Sequence, residues 1–170
     1  MNLKIRTEFG DDHEAIQLVH EQAFGGLAEA KLVAALRAGG YITVSLVATL
    51  NDNVVGHILF SPVMIRSAVG SIEILSLAPL AVLPEFQRQG IGTALVKMGI
   101  EACKATRYSS IVVLGDPAYY TQFGFSPALA CSLKSPFGDS DSWMAMELFP
   151  GALSGIAGSV VYPPPFKVFE

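Results

Sequence analysis

Charged side chains are scarce in this chain of 170 residues, making up 15% of it, and neither sign gathers enough to mark a polyelectrolyte partner. Eleven Lys and Arg against fifteen Asp and Glu leave a net charge of −4, with an isoelectric point near 5.3. Nucleic acids and anionic membranes are held by clustered positive charge, so neither is expected as a partner. Cysteine is almost missing: Cys103 and Cys131 make no disulfide framework and no CxxC knuckle, and a reducing compartment keeps both as thiols. The histidines lack metal-site spacing. His13 and His20 have Gln17 and Phe24 four residues on, so HExxH is absent, and His57 beside Gly56 reads as a satisfied core or edge group. Asp139-Ser140-Asp141 lacks the glycine and distal glutamate of a calcium loop. No metal is expected. The longest uncharged stretch, 148–166, is broken by Pro150, by glycines 151, 155 and 158 and by Pro163-Pro164-Pro165, which excludes an uninterrupted spanning helix. Near the N-terminus, Leu3-Lys4-Ile5-Arg6 alternates and then turns acidic with no apolar signal core, so a cytoplasmic location is expected.

What the chain does have is apolar mass. Hydrophobic residues make up 51% of it and the mean hydropathy is +0.46, which excludes disorder and fits a single domain over residues 1–170. The surplus leaves apolar surface for a large ligand or for a second copy in a homodimer.

The periodicities outline an α/β domain. Residues 3–6 alternate as a first strand, and Asp11 with Glu14 reads as a capping box opening a helix that ends at Gly25-Gly26. A second helix over 29–38 stops at Gly39-Gly40. Runs 44–50 and 54–63, joined by Asn51-Asp52-Asn53, predict a hairpin. Residues 72–83 form a nearly continuous apolar run, the mark of a strand covered on both faces, with Pro79 predicting a bulge. Residues 90–106 carry Ile91, Leu95 and Met98 at helical spacing, and 110–114 returns as a parallel strand. A short helix over 117–123, a strand over 143–148 and an edge strand at Val160-Val161 complete the outline.

The turn between the apolar strand and the long helix concentrates the chemistry. A helix start directs main-chain N–H groups and the positive end of the helix dipole at one spot, a setting for a diphosphate, and Gly90 and Gly92 let an anion approach. An ordinary strand-to-helix turn is the alternative reading. Leu95 stands where a dinucleotide fingerprint needs a third small residue, and no Gly-Lys-Ser/Thr ending makes a Walker loop.

Here the sequence resembles the GNAT superfamily of acyl-CoA-dependent N-acetyltransferases. Gln87-x-x-Gly90-x-Gly92 matches the family's cofactor signature, Leu80-x-Val82-x-Pro84 matches the strand before it, and Tyr120-Thr-Gln-Phe-Gly124-Phe125 matches a second hallmark. The run Leu-Gly-Asp-Pro-Ala-Tyr-Tyr at 114–120 and the ending Val-Tyr-Pro-Pro-Pro-Phe are most similar to the bacterial YhbS-like branch. The resemblance implies a mixed, mostly antiparallel sheet flanked by helices, with a splayed strand pair holding acetyl-CoA as co-substrate. It implies that the main chain at Leu80, Ala81 and Val82 holds the pantetheine, and that Gln87, Arg88, Gln89, Gly90, Ile91, Gly92 and Thr93 hold the pyrophosphate. Tyr120 then protonates the departing sulfur, while Tyr119 packs. The base that frees the amine is not readable from the residues. Glu73 is the favoured candidate by analogy with family members, with Glu85 and Asp116 as alternatives, the latter also suited to cap the helix at Pro117. The implied activity is acetyl transfer to a primary amine, whether a polyamine, a drug, a peptide terminus or a lysine. A non-catalytic acyl-CoA sensor and a domain whose glycine loop binds nothing are the alternatives.

Overall fold

The computed structural model describes residues 2–170, as two compact units. The first comprises the chain through Ser61 together with Ala78–Ala102; the second comprises Pro62–Leu77 and Cys103–Glu170.

In the first unit, β1 (Leu3–Thr7) pairs antiparallel with β2 (Val44–Leu50), from Leu3↔Leu50 to Thr7↔Leu46. β2 is buried along its whole length and pairs antiparallel with β3 (Asn53–Ser67), the hairpin that the two runs predict. Asn51 and Asp52 turn that hairpin at φ 49° and 68°, the left-handed region these side chains tolerate. β3 neighbours β4 (Gly70–Val82), whose Ala78–Pro79 peptide is cis. Against the sheet pack α1 (His13–Phe24), α2 (Ala28–Ala38) and α3 (Ile91–Lys104). The core is built from Ile16, Val19, Leu36, Val47, Ile58, Phe60 and Leu95. α1 ends where Gly25 enters the left-handed region at φ 70°, as its glycine pair predicts.

The start of α1 departs from the sequence reading. Asp11 and Glu14 form no capping box; a 3-10 turn at Gly10–Asp12 precedes the helix, and the Asp12 carboxylate accepts from the Phe9 N–H at 2.6 Å. The same carboxylate accepts from both terminal nitrogens of Arg6, at 2.7 and 3.1 Å. An ion pair to a strand residue outweighs local capping, and no i, i+3 pattern reveals it.

In the second unit, β4 pairs parallel with β5 (Ser110–Leu114) at Leu75↔Ile111 and Ser76↔Val112, and β5 pairs antiparallel with β7 (Trp143–Glu147). α4 is a single turn, Pro117–Tyr120, continued by a 3-10 turn over Thr121–Phe123. β8 (Gly158–Val161) is longer than the expected edge strand at Val160-Val161. Val160 and Val161 pair with the end of β3 alone, as an edge does, whereas Gly158 and Ser159 also meet β6 (Leu133–Lys134), a two-residue strand too short to leave a periodic signal. Ile65, Leu75, Ile111, Phe125, Met144 and Phe166 fill this core. The sheet is mixed and mostly antiparallel, as expected. Among the described residues no helix is long and apolar enough to cross a membrane.

Candidate active site

The loop from Leu83 to Gly90 is held from within. The Leu83 N–H donates to Val55 O at 2.8 Å, Phe86 N–H to Leu83 O at 2.9 Å and Gln87 N–H to Pro84 O at 3.3 Å. Gln87 spends its side chain here too, its Nε2 donating to Val82 O at 2.9 Å. Gln87 therefore shapes the loop. Arg88 at φ 60° and Gly90 at φ 87° then swing the chain into α3, whose first regular bond is Ala94 N–H to Gly90 O at 3.0 Å. A helix begun this way turns the N–H groups of its opening residues, Ile91, Gly92 and Thr93, towards its N-terminal end. Ile91 is buried and anchors the turn, while Arg88, Gln89 and Gly90 are exposed. The sequence reading missed Gly56. A Cβ there would lie 3.0 Å from a Leu95 methyl and 3.3 Å from Ala81 O, so its lack of a side chain lets β3 and β4 close on the start of α3. In the first unit β4 has β3 on one side only, so Leu80 and Val82 present main-chain groups along an edge without a strand in that unit, while Ala81 between them turns its carbonyl towards Gly56 on β3.

In the second unit, Asp116 caps α4 by accepting from the Ala118 N–H at 3.0 Å, which accounts for that residue. The cap fixes Tyr120, whose ring stands edge-on to Phe125 at 5.8 Å and to Tyr119 at 5.1 Å. Gly115 makes room for it, since a Cβ there would collide with the Tyr120 ring. Burial, helped by Tyr119, pushes the Tyr120 phenol up to about 12, so it stays protonated and able to donate. Glu73, on β4, accepts from Arg107 Nη2 at 2.6 Å and from the Tyr108 hydroxyl at 2.8 Å. Its carboxylate is thus positioned by two donors on the segment that precedes β5. Glu85 is exposed on its 3-10 turn.

A further cluster escaped the sequence reading because its members come from five places in the chain. Glu8, at 12% side-chain exposure, pairs with Arg37 at 2.9 Å and with His13 at 3.0 Å. It also accepts from the Ser45 hydroxyl. Ser45 Oγ lies 2.8 Å from His57 Nε2, and His57 Nδ1 lies 2.8 Å from His20 Nε2. His57 is satisfied, as expected; His20 keeps Nδ1 buried with no partner. Burial, then His57 and Arg37, holds His20 down at about 3, and burial lowers His57 as well. For Glu8 burial raises the pKa, but nearby His57, the bond from Ser45 and the Arg37 charge outweigh it and leave it at about 2.

All of these shifts work in one direction. Below pH 6.5 the unfolded histidine takes a proton that the folded His20 refuses until about pH 3, and below 4.5 the same holds for Glu8 until about 2. Stability contributed by the cluster is present above pH 6.5 and is lost as pH falls. Calorimetric Tm should therefore drop steeply between pH 6.5 and 4, and a His20→Phe variant should lose less over that interval. Equal slopes for the two proteins would exclude His20 as a source of the acid lability.

The model of the Acetyltransferase (GNAT) family matches residues 8–125. The Uncharacterized N-acetyltransferase YhbS of Escherichia coli strain K12 is 35% identical over 167 residues, 97% of this chain and 99% of the relative. The 1.55 Å crystal structure of YhbS from Escherichia coli in complex with CoA superposes with a TM-score of 0.92 at 34% identity, covering 100% of this chain and 94% of that one. A GNAT family acetyltransferase from Brucella melitensis, in complex with acetyl-CoA, superposes with a TM-score of 0.80 at 32% identity, covering 97% and 98%.

Proposed function

Because the chain belongs to the GNAT acetyltransferase family, we propose that it transfers the acetyl group of acetyl-CoA directly to a primary amine, with residues 1–170 working as one catalytic domain in the cytoplasm. The observation that carries the reading is the loop at 87–92, where φ 60° at Arg88 and 87° at Gly90 lead the chain into the start of α3, a geometry that suits an anion. CoA in the Escherichia coli YhbS crystal structure and acetyl-CoA in the Brucella melitensis one support the choice of co-substrate.

Acetyl-CoA supplies an activated thioester. The edge of β4 at Leu80 and Val82, on either side of Ala81, bonds the pantetheine amides as a neighbouring strand would. Gln87 and Gln89 hold the loop, Arg88 adds a cation, and the opening turn at Gly90, Ile91, Gly92 and Thr93 takes the pyrophosphate. Tyr120 donates to the sulfur as the C–S bond breaks, a role its raised pKa suits because the proton is still in place at neutral pH. Glu73 receives the amine's proton through water. A lysine-like amine of pKa ~10.4 is otherwise protonated at neutral pH and cannot attack. The apolar surplus also suits a homodimer.

The reading is tested by thiol release from acetyl-CoA over a panel of amines that includes benzylamine, spermidine, lysine and a dipeptide. Acceleration by at least one amine is expected. Tight acetyl-CoA binding without acceleration by any of them would make the protein a sensor instead.

A further inference from the structure

The cluster at Glu8 fixes the direction of every hydrogen bond leading away from it. Glu8 is a carboxylate and only accepts, so Ser45 must give it its single hydroxyl proton. Ser45 can then only accept from His57, which places a proton on His57 Nε2. His57 is neutral in its buried site, so its Nδ1 is bare and must accept from His20 Nε2–H. His20, also neutral, is left with a bare Nδ1. That nitrogen is fully buried and has no partner. The chain of bonds thus ends in an acceptor whose protein donor is missing, which a folded chain ordinarily avoids.

We infer that His20 Nδ1 is a ligand site, receiving an N–H of the acceptor amine at the C-terminal half of α1. The inference rests on the transferase reading and names the kind of amine. The His20 ring is stacked on Phe24 at 6.0 Å with 5° between planes, and Phe24 is itself 46% exposed. The turn that follows carries Leu27, 53% exposed. The one carboxylate joined to the relay, Glu8, is matched by Arg37. A monoamine with an apolar body fits these surroundings, and the second and third charges of a polyamine have no counterpart among the relay residues. Among the described residues no group of three or more His, Cys, Asp or Glu is arranged to hold a metal ion.

The experiment uses the full chain saturated with acetyl-CoA and benzylamine as probe. Imidazole 15N spectra should show His20 and His57 both as Nε2–H tautomers, with the His20 Nδ1 signal moving upfield as benzylamine is added. In His20→Gln the amide still donates towards His57 but nothing stands at Nδ1, whereas in His20→Asn an oxygen does. The benzylamine KM should rise about 10-fold in the Gln variant, the loss of one hydrogen bond, and less in the Asn variant, with acetyl-CoA affinity unchanged in both. An Nδ1–H tautomer at His20, or an Nδ1 signal indifferent to benzylamine, would overturn the inference. So would turnover with an unchanged KM in both variants, while leaving the transferase reading intact. A benzylamine-dependent shift without turnover would uphold the site and count against the transferase.

Discussion

Tyr120→Phe should lower kcat by about 100-fold or more, the usual loss when a positioned acid is removed, and leave the acetyl-CoA affinity within about twofold of the parent. The split follows from what the substitution takes away. The ring keeps its edge-on contacts with Phe125 and Tyr119 and its place over Gly115, so packing is retained and only the hydroxyl goes. Steady-state kinetics and calorimetric titration separate the two effects. The parent should also show no fall in rate from pH 7 to 9 due to this phenol, since burial holds its pKa at about 12. A variant with parental kcat would leave Tyr120 as an aromatic anchor and pass the protonation of sulfur to water.

The second large effect lies at the loop. Gly90→Val should weaken acetyl-CoA binding by at least about 100-fold, some 3 kcal/mol in affinity. The reason is conformational and not steric. A Cβ at Gly90 meets nothing within 4 Å, but φ 87° is a conformation that a β-branched residue adopts only under strain. The start of α3 would be re-aimed and its N–H groups would no longer converge. Arg88→Gly is the matching control. Arg88 already sits at φ 60°, so glycine preserves the turn and removes only a guanidinium, and a loss of a few-fold is expected. Equal losses from both substitutions would mean that charge, and not main-chain geometry, holds the anion.

These two sites were legible in the sequence because each is local. Gly90 and Gly92 stand next to a strand of apolar residues and a helix of clear period, and Tyr120 stands four residues before Gly124. The strands at 44–50 and 110–114 were equally legible, since β-branched runs between turn residues announce themselves. What could not be read depends on partners distant in the chain. Asp12 anchors the approach to α1 through Arg6 on β1, which displaced the expected Asp11–Glu14 box. The start of β8 at Gly158 and Ser159 gains a second neighbour in β6, which at two residues leaves no periodic trace. The relay from Glu8 to His20 joins residues 37 apart at its two longest links, and each histidine alone looks like a packed core group. The room for Tyr120 comes from Gly115, a glycine whose purpose appears only once the ring is placed.

In the proposed complex, main-chain donors at residues 87–92 grip the diphosphate of acetyl-CoA. Calorimetric titration with acetyl-CoA and with acetyl-pantetheine, which has the thioester but no pyrophosphate, addresses it directly. Acetyl-pantetheine should bind at least about 100-fold more weakly, the loss of several charge-assisted bonds at a helix start. Equal affinity for the two compounds would contradict it.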